Sequence, residues 1–157
     1  MIRHQITGWI NPEEYAALYE LALEHQPVLE VGCYAGLSTS ALAQAGEVTT
    51  IDANPQPNFL TNMMVAGVAQ NVTLRVGWSR DILPKLTGPY GMVFIDGGHS
   101  YVEAFTDIEW AVKLLADDGV IVVDDITWPD VKRATEELLP GWIKWVGKMG
   151  VWHASAG

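Results

Sequence analysis

The sequence predicts an α/β protein: a doubly wound, seven-stranded sheet, mostly parallel, with helices on both faces and an antiparallel hairpin at its C-terminal end. Three observations predict it. Five short runs rich in Val, Ile and Thr alternate with segments of helical periodicity. The fifth run, GVIVVDD (119–125), is apolar up to its acidic end, as a strand covered on both faces should be. The last two runs, WIKWV (142–146) and VWHASA (151–156), are separated only by GKMG and read as a hairpin.

In chain order, NPEEYAALYELALEH (11–25) reads as a helix. Asn11 caps it, Pro12 suits its first position, Glu14 completes a capping box, and Tyr15, Leu18, Tyr19 and Ala22 recur at helical spacing. VLEVG (28–32) is the first strand, followed by a helix over 37–46. EVTTID (47–52) is the second, then a Pro- and Asn-rich turn and a helix over 59–70. VTLRVG (72–77) is the third, leading into a short SRDILPKL turn. MVFID (92–96) is the fourth, followed by a helix over 101–119. After the fifth strand a helix begins near Pro129. The whole pattern is Rossmann-like, in one expected domain over 1–157, with an N-terminal helical segment (1–27) and a core (28–157).

Composition narrows the function classes. Nine Lys+Arg against nineteen Asp+Glu give a formal charge of −10, with the cations scattered, which argues against nucleic acid or an anionic membrane as partner. No apolar run approaches the ~18–20 residues that cross a bilayer, and the N-terminus lacks a signal pattern, so a soluble, unprocessed chain is expected. A single cysteine, Cys33, forms no internal disulfide and fits a reducing cytoplasm. It has no motif partner and reads as packing.

In doubly wound sheets ligands bind beyond the carboxyl ends of the strands. Those ends here read Glu30-Val31-Gly32, Asp52, Gly77-Trp78-Ser79, Asp96-Gly97-Gly98-His99 and Asp124-Asp125, and burial does not call for so many acids. The first turn, Glu30 to Gly36, spaces its glycines G-x-x-x-G. That is neither the dinucleotide fingerprint nor a phosphate loop, which disfavours a nicotinamide oxidoreductase. The bland alternative is an ordinary glycine-bearing turn. Asp52 ends the second strand, where a carboxylate can accept both hydroxyls of a ribose; its bland alternative is a solvated strand-end acid. Together they favour a nucleoside ligand without a pyrophosphate.

On these residues the chain resembles a known family. VLEVGCYAGLSTSALA looks like motif I of class I S-adenosylmethionine (SAM) dependent methyltransferases, and its E-x-G-x-Y-x-G-x-S pattern is similar to that of the catechol O-methyltransferases. VTLRVGWSRDILPKL resembles their third-strand segment, and the likeness spans roughly residues 28 to 126. The acid-Gly-x-His after strand four also resembles the metal-dependent O-methyltransferases of macrolide sugars and their cephalosporin-hydroxylase-like relatives. The resemblance implies that Gly32, Tyr34, Gly36 and Ser38 cradle the methionine part of SAM, with Glu30 supporting the loop. It implies Asp52 on the ribose, Ser79 and Arg80 beside the adenine, and Asp96 at the cofactor edge. It further implies Mg2+ on Asp96, Asp124 and Asp125, His99 as general base, and a hydroxylated small molecule or sugar as acceptor.

The metal has a physical argument of its own. Three aspartates at neighbouring strand ends repel one another unless something positive sits between them, and Mg2+ favours oxygen ligands completed by water or substrate. The alternative for Asp124-Asp125 is a polar loop start. His99 lies three residues beyond Asp96, and imidazole is the side chain whose ordinary titration lies nearest neutral pH. His4, His25 and His153 lack motif context and read as surface residues, and Trp128 is the tryptophan placed for acceptor contact. The core nearly fills the length, so a homo-oligomeric partner or a large acceptor is expected to close the site. A non-catalytic SAM-binding module and a metal-independent methyltransferase stay open as alternatives.

Overall fold

The computed structural model describes residues 1–154. Strands β1 (Val28–Val31), β2 (Val48–Asp52), β3 (Val72–Val76), β4 (Tyr90–Ile95), β5 (Leu115–Val123), β6 (Ile143–Lys144) and β7 (Gly150–His153) form one sheet in the order β3-β2-β1-β4-β5-β7-β6. β1 to β5 pair in parallel; β7 runs antiparallel to both β5 and β6. The switch in strand order falls between β1 and β4, where a doubly wound sheet opens its crevice.

Alternation along the central strands sorts their side chains onto two cores. Val28, Met92, Phe94, Val120 and Val122 face one core, together with Tyr15 and Leu18 of α1 (Pro12–Glu24) and Leu42 of α2 (Leu37–Ala45). Phe59 and Met63 of α3 (Phe59–Val65) complete that layer. Leu29, Val93, Ile95, Ile121 and Val123 face the other core. There they meet Ile108 of α5 (Tyr101–Leu114), Val131 of α6 (Pro129–Leu138), and Leu83, just beyond the single turn α4 (Ser79–Ile82). Every residue of β1 and β4 is buried, as a two-sided strand requires.

The α1 start is as expected: Asn11 Oδ1 accepts from the Glu14 amide at 2.8 Å while Glu14 Oε1 accepts from the Asn11 amide at 3.3 Å. Other boundaries differ from the sequence expectations. The helix expected over 59–70 stops at Val65, because Gly67 turns left-handed (φ +73°), and a 3-10 turn over Ala69–Asn71 follows. The helix expected over 101–119 ends at Leu114, since Leu115 is already extended and pairs with Tyr90, so β5 begins there. β6 is only two residues long, and Ser155 and Ala156 of the expected last strand lie outside the described residues. In the segment 1–27 only Pro12–Glu24 is helical. No helix among the described residues is long and apolar enough to cross a membrane.

Candidate active site

The β1–α2 turn is built around two carboxylates. Glu30 is fully buried; Ser38 Oγ and Thr39 Oγ1 each donate to it at 2.5 Å, tying the strand to the first turn of α2. Ser38 thus points at Glu30. Burial pushes the Glu30 carboxyl up to about 7 against the pull of these hydroxyls. A carboxyl raised from about 4.5 to about 7 favours the protonated fold. Its contribution is therefore present at low pH and is lost as pH rises between those values, by about 3 kcal/mol. Glu30→Gln removes this loss while its amide keeps partners for both hydroxyls. Urea unfolding should show the variant gaining about 3 kcal/mol on wild type between pH 4 and pH 8; a constant difference across that range contradicts the assignment.

Asp52 holds the other side of the turn. Its Oδ2 accepts from the amides of Cys33 and Tyr34, both at 2.9 Å, and its Oδ1 from the Asn54 amide at 2.8 Å. Three of about four acceptor positions on the carboxylate are filled by backbone. Cys33 is buried, and burial with the nearby Glu30 and Asp52 charges pushes its thiol far up, so it is inert.

Two adjoining cavities open at the strand ends, sharing Gly32, Asp52, Asp96 and Gly97. The first, about 330 Å³, is walled by Trp78, Ser79 and Arg80, with the Arg80 guanidinium 5.2 Å from the Trp78 ring centre. Ser79 Oγ donates to Asp107 at 2.5 Å, and burial lifts the Asp107 carboxyl to about 6. The second cavity, about 490 Å³, is bordered by Trp9, Tyr34, His99, Asp124, Asp125, Trp128 and Lys148. Trp9 lies against Tyr34 (centroids 4.6 Å apart), and Trp128 stacks on His99 at 4.3 Å with ring planes 13° apart. Gly36 lies in neither cavity and opens α2 as its N-cap.

The acids converge. Carboxylate oxygens of Asp96, Asp124 and Asp125 lie within 4.8 Å of one another. Burial, and then the Asp124 charge, hold the Asp96 carboxyl well above the usual range; Asp124 is raised as well, again chiefly by burial. Asp124 Oδ1 is buried without a hydrogen-bond partner. An orphaned oxygen among three clustered carboxylates is a donor set that fits a hard divalent cation. Asp125, in the left-handed region at φ +58°, also receives His99 Nε2 at 2.7 Å.

One positive group is already there. Lys148 Nζ contacts Asp124 Oδ2 and lies 3.4 Å from Asp125 Oδ1. Burial opposes its charge, but the bond to Asp124 and the surrounding carboxylates hold its ammonium above the usual range. Sequence reasoning left Lys148 among scattered cations and missed Trp9 and Asp107. The hairpin register could have found the lysine: Gly150 pairs with Val123, which sets Lys148 beside Asp124 and Asp125.

With this geometry in place, comparison with known proteins decides the family. A methyltransferase domain family matches residues 29–126. The chain belongs to that family. This methyltransferase domain is 36% identical over 120 residues to a catechol O-methyltransferase of Mycobacterium tuberculosis, covering 72% of the chain and 54% of that protein. Its fold is similar to that of cofactor-bound Rv0187 from MTB (27% identity, TM-score 0.80, 96% of this chain and 84% of that one). It is also similar to TomG, a SAM-bound O-methyltransferase of Streptomyces achromogenes (26%, 0.77, 94% and 82%). The methyltransferase domain spans about half the length of the curated relatives it matches.

Proposed function

We propose that the chain is a SAM-dependent O-methyltransferase, Mg2+-assisted, acting on a hydroxyl of a small molecule or sugar. One observation carries the reading: a nucleoside-sized cavity and an acid-lined cavity share Gly32, Asp52, Asp96 and Gly97, so the ligands of the two meet at one wall. In the first cavity Trp78, Ser79 and Arg80 would border the adenine, and the loop anchored by Glu30 and Asp52 would hold the methionine part and ribose. A Cβ on Gly32 would lie 2.0 Å from the Asp96 carbonyl oxygen, so only glycine lets the turn come this close to β4. SAM, when bound, supplies the methyl group, and Mg2+ held by Asp96, Asp124 and Asp125 supplies Lewis acidity at the acceptor hydroxyl.

The chain's own part is proton removal and orientation. With Nε2 anchored on Asp125, the His99 ring presents Nδ1 to take the hydroxyl proton as the acceptor oxygen gains the methyl group. Trp128 fixes the ring plane, and the exposed indoles of Trp9 and Trp128 offer apolar faces to an acceptor in the same cavity. Positioning accounts for most of the remaining acceleration. A second reading, metal-independent transfer, is favoured by Lys148, which already brings a positive charge to Asp124.

Transfer from methyl-labelled SAM to a panel of catechols, phenols and sugars tests these readings. The expected outcome is product with at least one acceptor in Mg2+ and a rate at least about tenfold lower in EDTA. An EDTA-insensitive rate supports the metal-independent reading, and SAM binding without any product supports a non-catalytic module.

A further inference from the structure

The Lys148 side chain bridges two groups of carboxylates. On one side are Asp124 and Asp125; on the other, 3.8 Å from Nζ, is Glu14 Oε2 of α1. Glu14 and Asp124 are almost fully buried, and each keeps one oxygen, Glu14 Oε2 and Asp124 Oδ1, without a hydrogen-bond partner. The lysine sits in the turn joining β6 to β7, held over the strand ends by the β5–β7 register, while its four-carbon stem leaves the ammonium free to shift. A buried carboxylate oxygen left unpaired is costly, and both such oxygens belong to carboxylates within reach of the one Lys148 ammonium.

We propose that Lys148 is a tethered counter-cation with two positions: it neutralises Asp124 and Asp125 when no divalent ion is bound, and moves to Glu14 when one binds, thereby setting the site's metal affinity. The inference rests on the reading of Asp96, Asp124 and Asp125 as metal ligands. An ammonium touching Asp124 and a divalent ion on the same carboxylate repel each other, so binding the ion requires the ammonium to withdraw. Glu14 is the nearby carboxylate with an unused oxygen to receive it. Lys148 would therefore weaken metal binding, and Glu14 would strengthen it by stabilising the withdrawn lysine.

Mn2+ titration of the whole chain, read by electron paramagnetic resonance at fixed pH and salt, tests this without any assay of turnover. Lys148→Met is expected to tighten Mn2+ binding by at least about fivefold, within the ordinary range of coupling between two ligands of one site. Glu14→Gln keeps a side chain that suits the capping box and is expected to weaken binding several-fold, with a smaller effect when Lys148 is already Met. In thermal melts Lys148→Met should unfold earlier than wild type in EDTA, with Mg2+ closing the gap, which a purely structural ion pair would not show. Should Lys148→Met fail to fold, Lys148→Gln carries the same expectations. Unchanged or weaker Mn2+ binding in the lysine variants, with wild type binding normally, overturns the inference and leaves the metal reading standing. No Mn2+ binding by any of them overturns both.

Discussion

Gly32→Ala lowers the affinity for S-adenosylhomocysteine by about 100-fold or more, which is ~3 kcal/mol of binding free energy. Gly32 sits at φ +89°, where an L side chain costs roughly 1–2 kcal/mol, and its added Cβ would lie 2.0 Å from the Asp96 carbonyl oxygen and 2.7 Å from the carbonyl carbon. Both are backbone atoms, so no rotamer change relieves the clash. The Gly32 amide donates to the Ile51 carbonyl at 2.7 Å and the Asp96 amide to the Val31 carbonyl at 2.8 Å. Relief must therefore part the ends of β1 and β4, and both cavities share that wall. Gly67→Ala is the control: φ is +73°, but nothing lies within 4 Å of the added Cβ, so only the backbone strain is felt. Calorimetric titration of both variants checks this, and equal affinity in Gly32→Ala and wild type contradicts the placement of the cofactor turn.

His99→Ala leaves S-adenosylhomocysteine affinity within about twofold of wild type and reduces kcat by roughly 10²–10⁴-fold, the usual worth of a positioned general base. The split follows from location: His99 borders the acid-lined cavity and is absent from the walls of the other. Its Nε2 is anchored 2.7 Å from Asp125 and its face is stacked on Trp128, so the ring is oriented before any acceptor arrives. Orientation is what converts an imidazole into a base in a transfer that depends on alignment. Steady-state rates over a range of pH check it. A kcat within threefold of wild type at every pH assigns the proton to another acceptor.

Much of this site is legible in the sequence. Strand carboxyl ends are marked by where apolar runs stop, so Asp52, Asp96, Asp124 and Asp125 could be placed at one edge from periodicity alone. The Asn11–Glu14 capping box was equally plain, because it is a local pattern between residues three positions apart. What escaped depends on contacts across long sequence separations. Lys148 reaches Asp124 from 24 positions away through an antiparallel return, and Asp107 meets Ser79 across 28. Trp9 reaches the site from the irregular segment ahead of α1, which has no periodicity to read. Boundaries slipped for a different reason. Leu115 continues a helical pattern in sequence, yet pairing with Tyr90 outweighs that preference.

The proposed cofactor is the claim on which the rest depends, and calorimetric titration of the wild-type chain with S-adenosylhomocysteine tests it most directly. One saturable site of micromolar affinity, weakened by Gly32→Ala and spared by His99→Ala, is the predicted result. Absence of binding up to millimolar nucleoside, in Mg2+ and in EDTA alike, contradicts it.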